Sequence, residues 1–124
     1  AKKELKLSRQ ALKRWFSDKY LENNPDTYEK ISSILSENNM ANFLKVYELF
    51  VRHKNDEDFE KIQTKTLVMT GEHDIGSTIE MSQQLNNVIQ HSELKIIKEG
   101  KHLCGIECAD EVNLTIKNFI DKND

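Results

Sequence analysis

Apolar positions recur at helical spacing through the first half of the chain and form short runs in the second half. Residues 2 to about 60 contain no glycine and a single proline, Pro25, so the usual residues of turns are scarce and helices are favoured. Asn24 and Pro25 interrupt the pattern, and proline suits the first turn of a new helix. The three predicted helical stripes are Leu5, Leu12, Trp15 and Phe16; Tyr28, Ile31, Ile34 and Leu35; and Phe43, Leu44, Val46, Tyr47, Phe50 and Val51. Residues 1–60 are therefore predicted to form a helical subdomain.

From about residue 62 the pattern changes to alternating strands and helices, and all four glycines fall in this half. Short apolar runs predict strands at 66–70 and 93–98. Amphipathic stretches predict helices at 78–90 and 107–121, with Ser77 or Thr78 as the N-cap of the first. This order is typical of a βαβα unit with parallel strands, over residues 61–124. The predicted fold class is α/β, a helical subdomain followed by a short parallel sheet.

The predicted sheet is too small to be complete. Parallel strands normally lie in sheets of four to six strands that helices cover on both faces. A sheet of two strands leaves the first with an unpaired edge, which favours pairing with another chain. We therefore expect either a homo-oligomer or a missing N-terminal portion as the partner of this unit.

Composition limits the classes of partner. At 124 residues the chain is the size of one domain, and its net charge of −3 does not indicate nucleic acid as a partner. No run approaches the roughly 18 apolar residues of a membrane span, and no signal-peptide pattern occurs. Cys104 and Cys108 are the two cysteines, too few for a disulfide framework. The simplest expectation is a reducing, cytoplasmic setting.

Two loops carry the candidate chemistry. The segment 71–74, Gly-Glu-His-Asp, follows the first predicted strand, and the segment 100–102, Gly-Lys-His, follows the second. The carboxyl ends of parallel strands open onto one edge of a sheet, where ligands and catalytic residues gather. Asp74 and His102 are 28 positions apart, about one βαβ unit. Singly each is an ordinary polar loop residue, but together they predict a base with its orienting carboxylate.

At these residues the chain resembles the α/β-hydrolase superfamily, and within it the 3-oxoadipate enol-lactonases. The resemblance rests on the segments 66–74 and 94–103, and it implies that Asp74 is the acid and His102 the base of a catalytic triad. The stretch from Arg14 to Phe59 is similar to the helical cap of these lactonases. In such a cap Trp15 would line the substrate pocket, or would simply pack, as we expect for its neighbour Phe16. The resemblance spans nearly the whole chain but only the C-terminal half of a family member.

The chain departs from the family pattern in three places. Lys65 stands where the family usually has proline before the strand, and residues 75–78 replace a loop that often contains proline. The third departure is the absence of the nucleophile elbow, Gly-x-Ser-x-Gly, which in the family order of Ser, Asp and His would precede residue 1. Ser77 and Ser82 lie on no such elbow, so we expect them to cap helices or face solvent.

The implied parent activity is serine-dependent hydrolysis of a carboxylic ester or enol-lactone, with no cofactor. We expect this chain alone to lack the nucleophile for it. The alternative from another class is a non-enzymatic binding or assembly module that retains hydrolase residues.

A second possible kind of site in this region is a metal site. His102, Cys104 and Cys108, with His73 as a further candidate, are residue types that bind zinc. The compact ligand pairs of zinc sites, such as Cys-x₂-Cys, are missing. We therefore expect no metal, and expect the cysteines to act as small apolar residues beside the last helix.

Overall fold

The computed structural model describes residues 10–52 and 58–123, and the predicted start of the first stripe at Leu5 lies outside them. The first half is helical. Residues 10–15 form α1, and three helices follow, α2 (Asp18–Asn23), α3 (Pro25–Glu37) and α4 (Met40–Arg52). Of the helices in these ranges, none is both long and apolar enough to cross a membrane.

The first predicted helix is divided at Ser17, which the apolar stripe did not indicate. The Ser17 hydroxyl accepts a hydrogen bond from the Tyr20 N–H at 3.1 Å and so caps α2. Pro25 opens α3, as predicted. Asn24 lies at the N-cap position, but its side-chain amide donates to the Tyr20 carbonyl at 2.9 Å instead of capping α3.

The second half contains the predicted strands and helices with small shifts at their ends. A short 3₁₀ turn leads into the elements, which are β1 (Thr66–Gly71), α5 (Ile79–Val88), β2 (Ser92–Ile97), α6 (Cys104–Glu107) and α7 (Ala109–Asn123). Thr78 caps α5, because its hydroxyl accepts from the Met81 N–H at 3.3 Å. The last predicted helix, 107–121, corresponds to α7, and the four-residue α6 that precedes it was not predicted.

The two strands pair in parallel, as predicted. Their register runs from Thr66 opposite Ser92 to Gly71 opposite Ile97, so both strands end at the same edge of the sheet. Helix α5 packs against both strands, and α7 packs against β2. The loops that leave the two carboxyl ends therefore start side by side.

The core is small and draws on both halves of the chain. Leu12, Phe16 and Ile97 are fully buried. Burial of each such side chain contributes roughly 1.5–3 kcal/mol to folding. The other buried apolar residues are Val68, Ile89 and Val112. Leu12 and Phe16 belong to the start of the helical half, and Ile97 belongs to β2.

Two surfaces are left without a partner in the described part of the chain. Helix α4 buries no residue, and its apolar stripe is exposed. Along it the rings of Phe43 and Tyr47 are stacked at a centroid distance of 5.8 Å, and those of Tyr47 and Phe50 are tilted at 6.3 Å. Among the described residues the sheet has two strands, so the outer edge of β1 has no strand beside it. An exposed apolar stripe and an open strand edge are both surfaces that another polypeptide can cover.

Candidate active site

The loop after β1 and the loop after β2 are joined by backbone hydrogen bonds. The Glu72 N–H donates to the Ile97 carbonyl at 2.9 Å, and the His73 N–H donates to the Gly100 carbonyl at 2.8 Å. These bonds extend the parallel pairing one step beyond the strands. The next residue along the first loop, Asp74, is thereby held beside the second loop.

Asp74 is a buried carboxylate with hydrogen-bond partners on both oxygens. Its Oδ1 accepts hydrogen bonds from the N–H groups of Gly76 (2.7 Å) and Ser77 (3.0 Å), and its Oδ2 lies 2.9 Å from His102 Nδ1. The side chain is 5% exposed. Burial by itself raises the pKa of Asp74, but the two backbone donors and His102 outweigh it and hold this pKa below its usual value. Asp74 is therefore ionised at neutral pH.

His102 is oriented on one side and open on the other. An ionised Asp74 only accepts hydrogen bonds, so the proton between them belongs to His102 Nδ1. In the neutral ring this tautomer leaves a lone pair on Nε2, which makes no hydrogen bond to any described residue. The side chain is 44% exposed. The pair thus presents a base whose ring orientation and tautomer are both set by Asp74.

The start of the helical half forms one wall of a cavity at this pair. The cavity has a volume of about 60 Å³, and its lining residues are Arg14, Trp15, Asp74, Ile75, Gly76 and His102. The structure therefore brings Trp15, Asp74 and His102 together, although their roles stay predictions. Sequence reasoning missed Arg14 as a lining residue, and its position next to Trp15 was the available signal. Phe16 is fully buried, in agreement with its predicted packing role.

The two serines considered as nucleophiles have other contacts. The Ser77 N–H donates to Asp74, and the Ser77 carbonyl accepts from the Thr70 hydroxyl at 2.5 Å. Ser82 is buried within α5. Within residues 10–52 and 58–123, no serine hydroxyl is hydrogen-bonded to His102. Ser77 is exposed, as predicted, whereas the prediction that Ser82 caps a helix or faces solvent was wrong, because Ser82 is 5% exposed inside α5.

The residues weighed as metal ligands do not assemble as one set. Burial raises the pKa of the Cys104 and Cys108 thiols, which keeps both protonated and poor as ligands. Among the described residues, the side chains that a metal could bridge are instead Glu72, His73 and Glu99. Their ligand atoms lie within 4.8 Å of one another, and all three are exposed.

The lowered pKa of Asp74 predicts a loss of stability in acid. A carboxyl whose pKa is lower in the folded state stabilises the fold above its unfolded pKa, near 3.8, and this stabilisation is lost as the pH falls further. The difference in unfolding free energy between the wild type and Asp74→Asn should therefore shrink as the pH falls from about 5 to about 3. Urea unfolding followed by Trp15 fluorescence measures it. Asp26→Asn, at an exposed carboxylate on α3, is the control, and a pH-independent difference for Asp74→Asn would contradict the prediction.

The fold of the chain is that of the C-terminal part of an α/β-hydrolase. The crystal structure of the enol-lactonase from Burkholderia xenovorans LB400 matches it with a TM-score of 0.88 at 22% identity. The match covers 95% of this chain and 45% of that chain. The fold class predicted from the two strand-loop segments is therefore confirmed.

Sequence comparison also relates the chain to hydrolases. No protein-family model matches the chain. The chain is 24% identical over 111 residues to 3-oxoadipate enol-lactonase 2 of Acinetobacter baylyi. This match covers 90% of this chain and 41% of that protein. The chain is also 24% identical over 112 residues to (E)-2-((N-methylformamido)methylene)succinate hydrolase of the same organism, covering 89% and 42%. The chain is related to the α/β-hydrolases and spans about two fifths of the length of these relatives.

Proposed function

We propose that this chain supplies the acid and the base of a serine-dependent hydrolase for carboxylic esters or lactones. The observation that carries the proposal is the 2.9 Å contact between His102 Nδ1 and Asp74 Oδ2 at the carboxyl ends of two parallel strands. The serine belongs to polypeptide outside these 124 residues, because the sequence contains no Gly-x-Ser-x-Gly segment.

The proposed chemistry proceeds through an acyl-enzyme. His102 Nε2 takes the proton of the serine hydroxyl as the serine oxygen attacks the ester or lactone carbonyl. Asp74 stabilises the imidazolium that forms, and the same proton then passes to the departing alkoxide or enolate oxygen. A water molecule, deprotonated by Nε2 in the second half of the reaction, releases the acid and regenerates the serine.

The cavity wall supports a substrate that carries a carboxylate. Arg14 and Trp15 line the cavity together with His102. A guanidinium binds a carboxylate through two parallel hydrogen bonds, and an indole offers a flat apolar surface beside it. The names of both curated relatives refer to derivatives of dicarboxylic acids, adipate and succinate. We therefore propose an ester or lactone with a free carboxylate as the substrate class.

Substrate discrimination by Arg14 tests this proposal. The test uses the chain together with a polypeptide that carries the Gly-x-Ser-x-Gly segment (the upstream polypeptide), produced as one chain or as two. Arg14→Gln should raise the KM for a carboxylate-bearing enol-lactone by roughly tenfold or more, since a hydrogen bond to a charged group is worth about 1.5–3 kcal/mol. The KM for p-nitrophenyl acetate, which is neutral, should stay nearly unchanged. Lys19→Gln, at an exposed cation on α2, is the matched control.

Two outcomes of the same assay would contradict the proposal. Turnover by the 124 residues alone, insensitive to a serine-directed phosphonate, would exclude a serine from outside the chain. An equal rise in KM for both substrates would exclude a carboxylate-binding role for Arg14.

A second candidate is the assembly module, which the exposed apolar stripe of α4 favours. Under this hypothesis the stripe and the open edge of β1 bind another polypeptide and no ester is hydrolysed. A folded assembly in light scattering, with no turnover in the presence of the upstream polypeptide, would favour it over the hydrolase.

A further inference from the structure

Three hydrogen bonds join the start of the helical half to the loop that carries His102. Lys101 Nζ donates to the Lys13 carbonyl at 2.9 Å, the Leu103 N–H donates to the Trp15 carbonyl at 3.0 Å, and the Ser17 N–H donates to Glu107 Oε1 at 2.9 Å. We call these bonds between residues 13–17 and 101–107 the clasp. The clasp fastens the Trp15 wall of the cavity to the His102 loop.

Glu107 differs from the other members of the clasp because it contacts both sides of it. Its Oε1 accepts from the Ser17 N–H, and its Oε2 accepts from the Lys101 N–H at 3.3 Å. Ser17 precedes the first turn of α2, and Lys101 lies in a loop, so neither N–H has a partner in a helix or strand. One half-buried carboxylate thus satisfies two backbone donors from segments distant in sequence.

We propose that Glu107 is a positioning residue that sets the distance between the Arg14–Trp15 wall and His102. Ser17 is two residues from Trp15, and Lys101 immediately precedes His102. The carboxylate therefore fixes the two sides of the cavity through backbone atoms, while contacting neither Trp15 nor the imidazole by a hydrogen bond. The inference rests on the proposed function only in taking this cavity as the substrate pocket.

The chemistry of the carboxylate explains why this position requires glutamate. An amide has one acceptor oxygen and one NH₂ donor, so glutamine keeps one of the two bonds and points a donor at the other N–H. Alanine removes both acceptors. We therefore expect the Arg14–Trp15 wall to be displaced most in Glu107→Ala and less in Glu107→Gln, relative to the wild type.

The single tryptophan of the chain reports the position of the wall directly. In the 124-residue chain, Glu107→Ala should shift Trp15 emission to longer wavelength and raise its acrylamide quenching constant roughly twofold, with Glu107→Gln between it and the wild type. The matched control is Glu111→Ala, which removes a carboxylate that contacts Lys95 at 2.8 Å, away from the cavity. Urea unfolding of every variant gives the loss of stability beside each fluorescence change.

The comparison of these two measurements separates positioning from ordinary stabilisation. A purely structural role lowers stability in Glu107→Ala and Glu111→Ala alike and leaves native Trp15 emission unchanged in both, which would overturn the inference. If Glu107→Ala does not fold, Glu107→Gln decides, because it keeps the shape and one hydrogen bond. An unchanged quenching constant in Glu107→Gln would then overturn the inference.

A kinetic measurement separates this inference from the proposed function. With the upstream polypeptide present, Glu107→Ala should raise the KM for a carboxylate-bearing lactone roughly tenfold, in line with loss of well-placed contacts, with a smaller effect on kcat. Movement of Trp15 accompanied by an unchanged KM would support positioning by Glu107 and overturn the proposed substrate pocket. Unchanged Trp15 fluorescence together with a wild-type KM would overturn the inference and leave the proposed hydrolase intact.

Discussion

Replacement of His102 by glutamine is expected to reduce the kcat of the proposed hydrolase by roughly 10⁴-fold or more. Glutamine cannot take a proton from the serine hydroxyl at neutral pH, so the covalent step loses its base. The side chain is 44% exposed, so the change in unfolding free energy should be small, about 1 kcal/mol or less. Steady-state hydrolysis of p-nitrophenyl acetate and urea unfolding of the same preparations measure the two effects.

Two companion variants sharpen this expectation. Asp74→Asn should reduce kcat by a comparable factor, because an amide favours the wrong tautomer of His102. His91→Gln, at an exposed histidine before β2, should retain wild-type kcat. If His102→Gln kept most of the activity while Asp74→Asn lost it, the base would be some other group and the assignment would be wrong.

Replacement of Gly71 by alanine is expected to destabilise the chain by about 3 kcal/mol. A Cβ at this position would lie 2.4 Å from the Gly100 carbonyl oxygen and 2.5 Å from that of Lys101. Both neighbours are backbone atoms of the His102 loop, so no side chain can turn away to relieve the contact. The two loops must separate, which also lengthens the 2.9 Å contact between Asp74 and His102.

Gly105 provides the matched control for this substitution. A Cβ there would meet no atom within 4 Å, and the residue lies in α6. Alanine in a helix is favoured over glycine by up to about 1 kcal/mol, so Gly105→Ala should leave the chain as stable or slightly more stable. Urea unfolding followed by circular dichroism measures both variants. Equal midpoints for Gly71→Ala and Gly105→Ala would contradict the close approach of the loops.

The sequence allowed the contact between Asp74 and His102 to be predicted because that contact depends on local order. Two apolar runs separated by one amphipathic stretch define a parallel pair, and a parallel pair places both following loops at one edge. The division at Ser17 was missed because the first break in the helical pattern was placed later, at Asn24 and Pro25. A single serine is a weak capping signal beside the helical period of the apolar residues.

The wall of the site could not be predicted in the same way. Arg14 and Glu107 owe their positions to bonds between segments 88 to 90 residues apart, and no pattern of spacing encodes such a contact. The exposure of the apolar stripe on α4 could not be predicted from the sequence either. A stripe such as Phe43, Tyr47 and Phe50 indicates which face of a helix is apolar, but not which surface that face meets.

The clasp also bears on the order in which the molecule folds. Its bonds close a loop of nearly ninety residues, and closing a long loop carries an entropy cost that only later contacts repay. The β1–α5–β2 unit closes over a much shorter stretch of chain and needs none of these bonds. We therefore expect Asp74 and His102 to pair before the wall is in place, and local unfolding to open the wall first. In native-state hydrogen exchange this difference would give the Leu103 and Ser17 amides less protection than the amides of the strands.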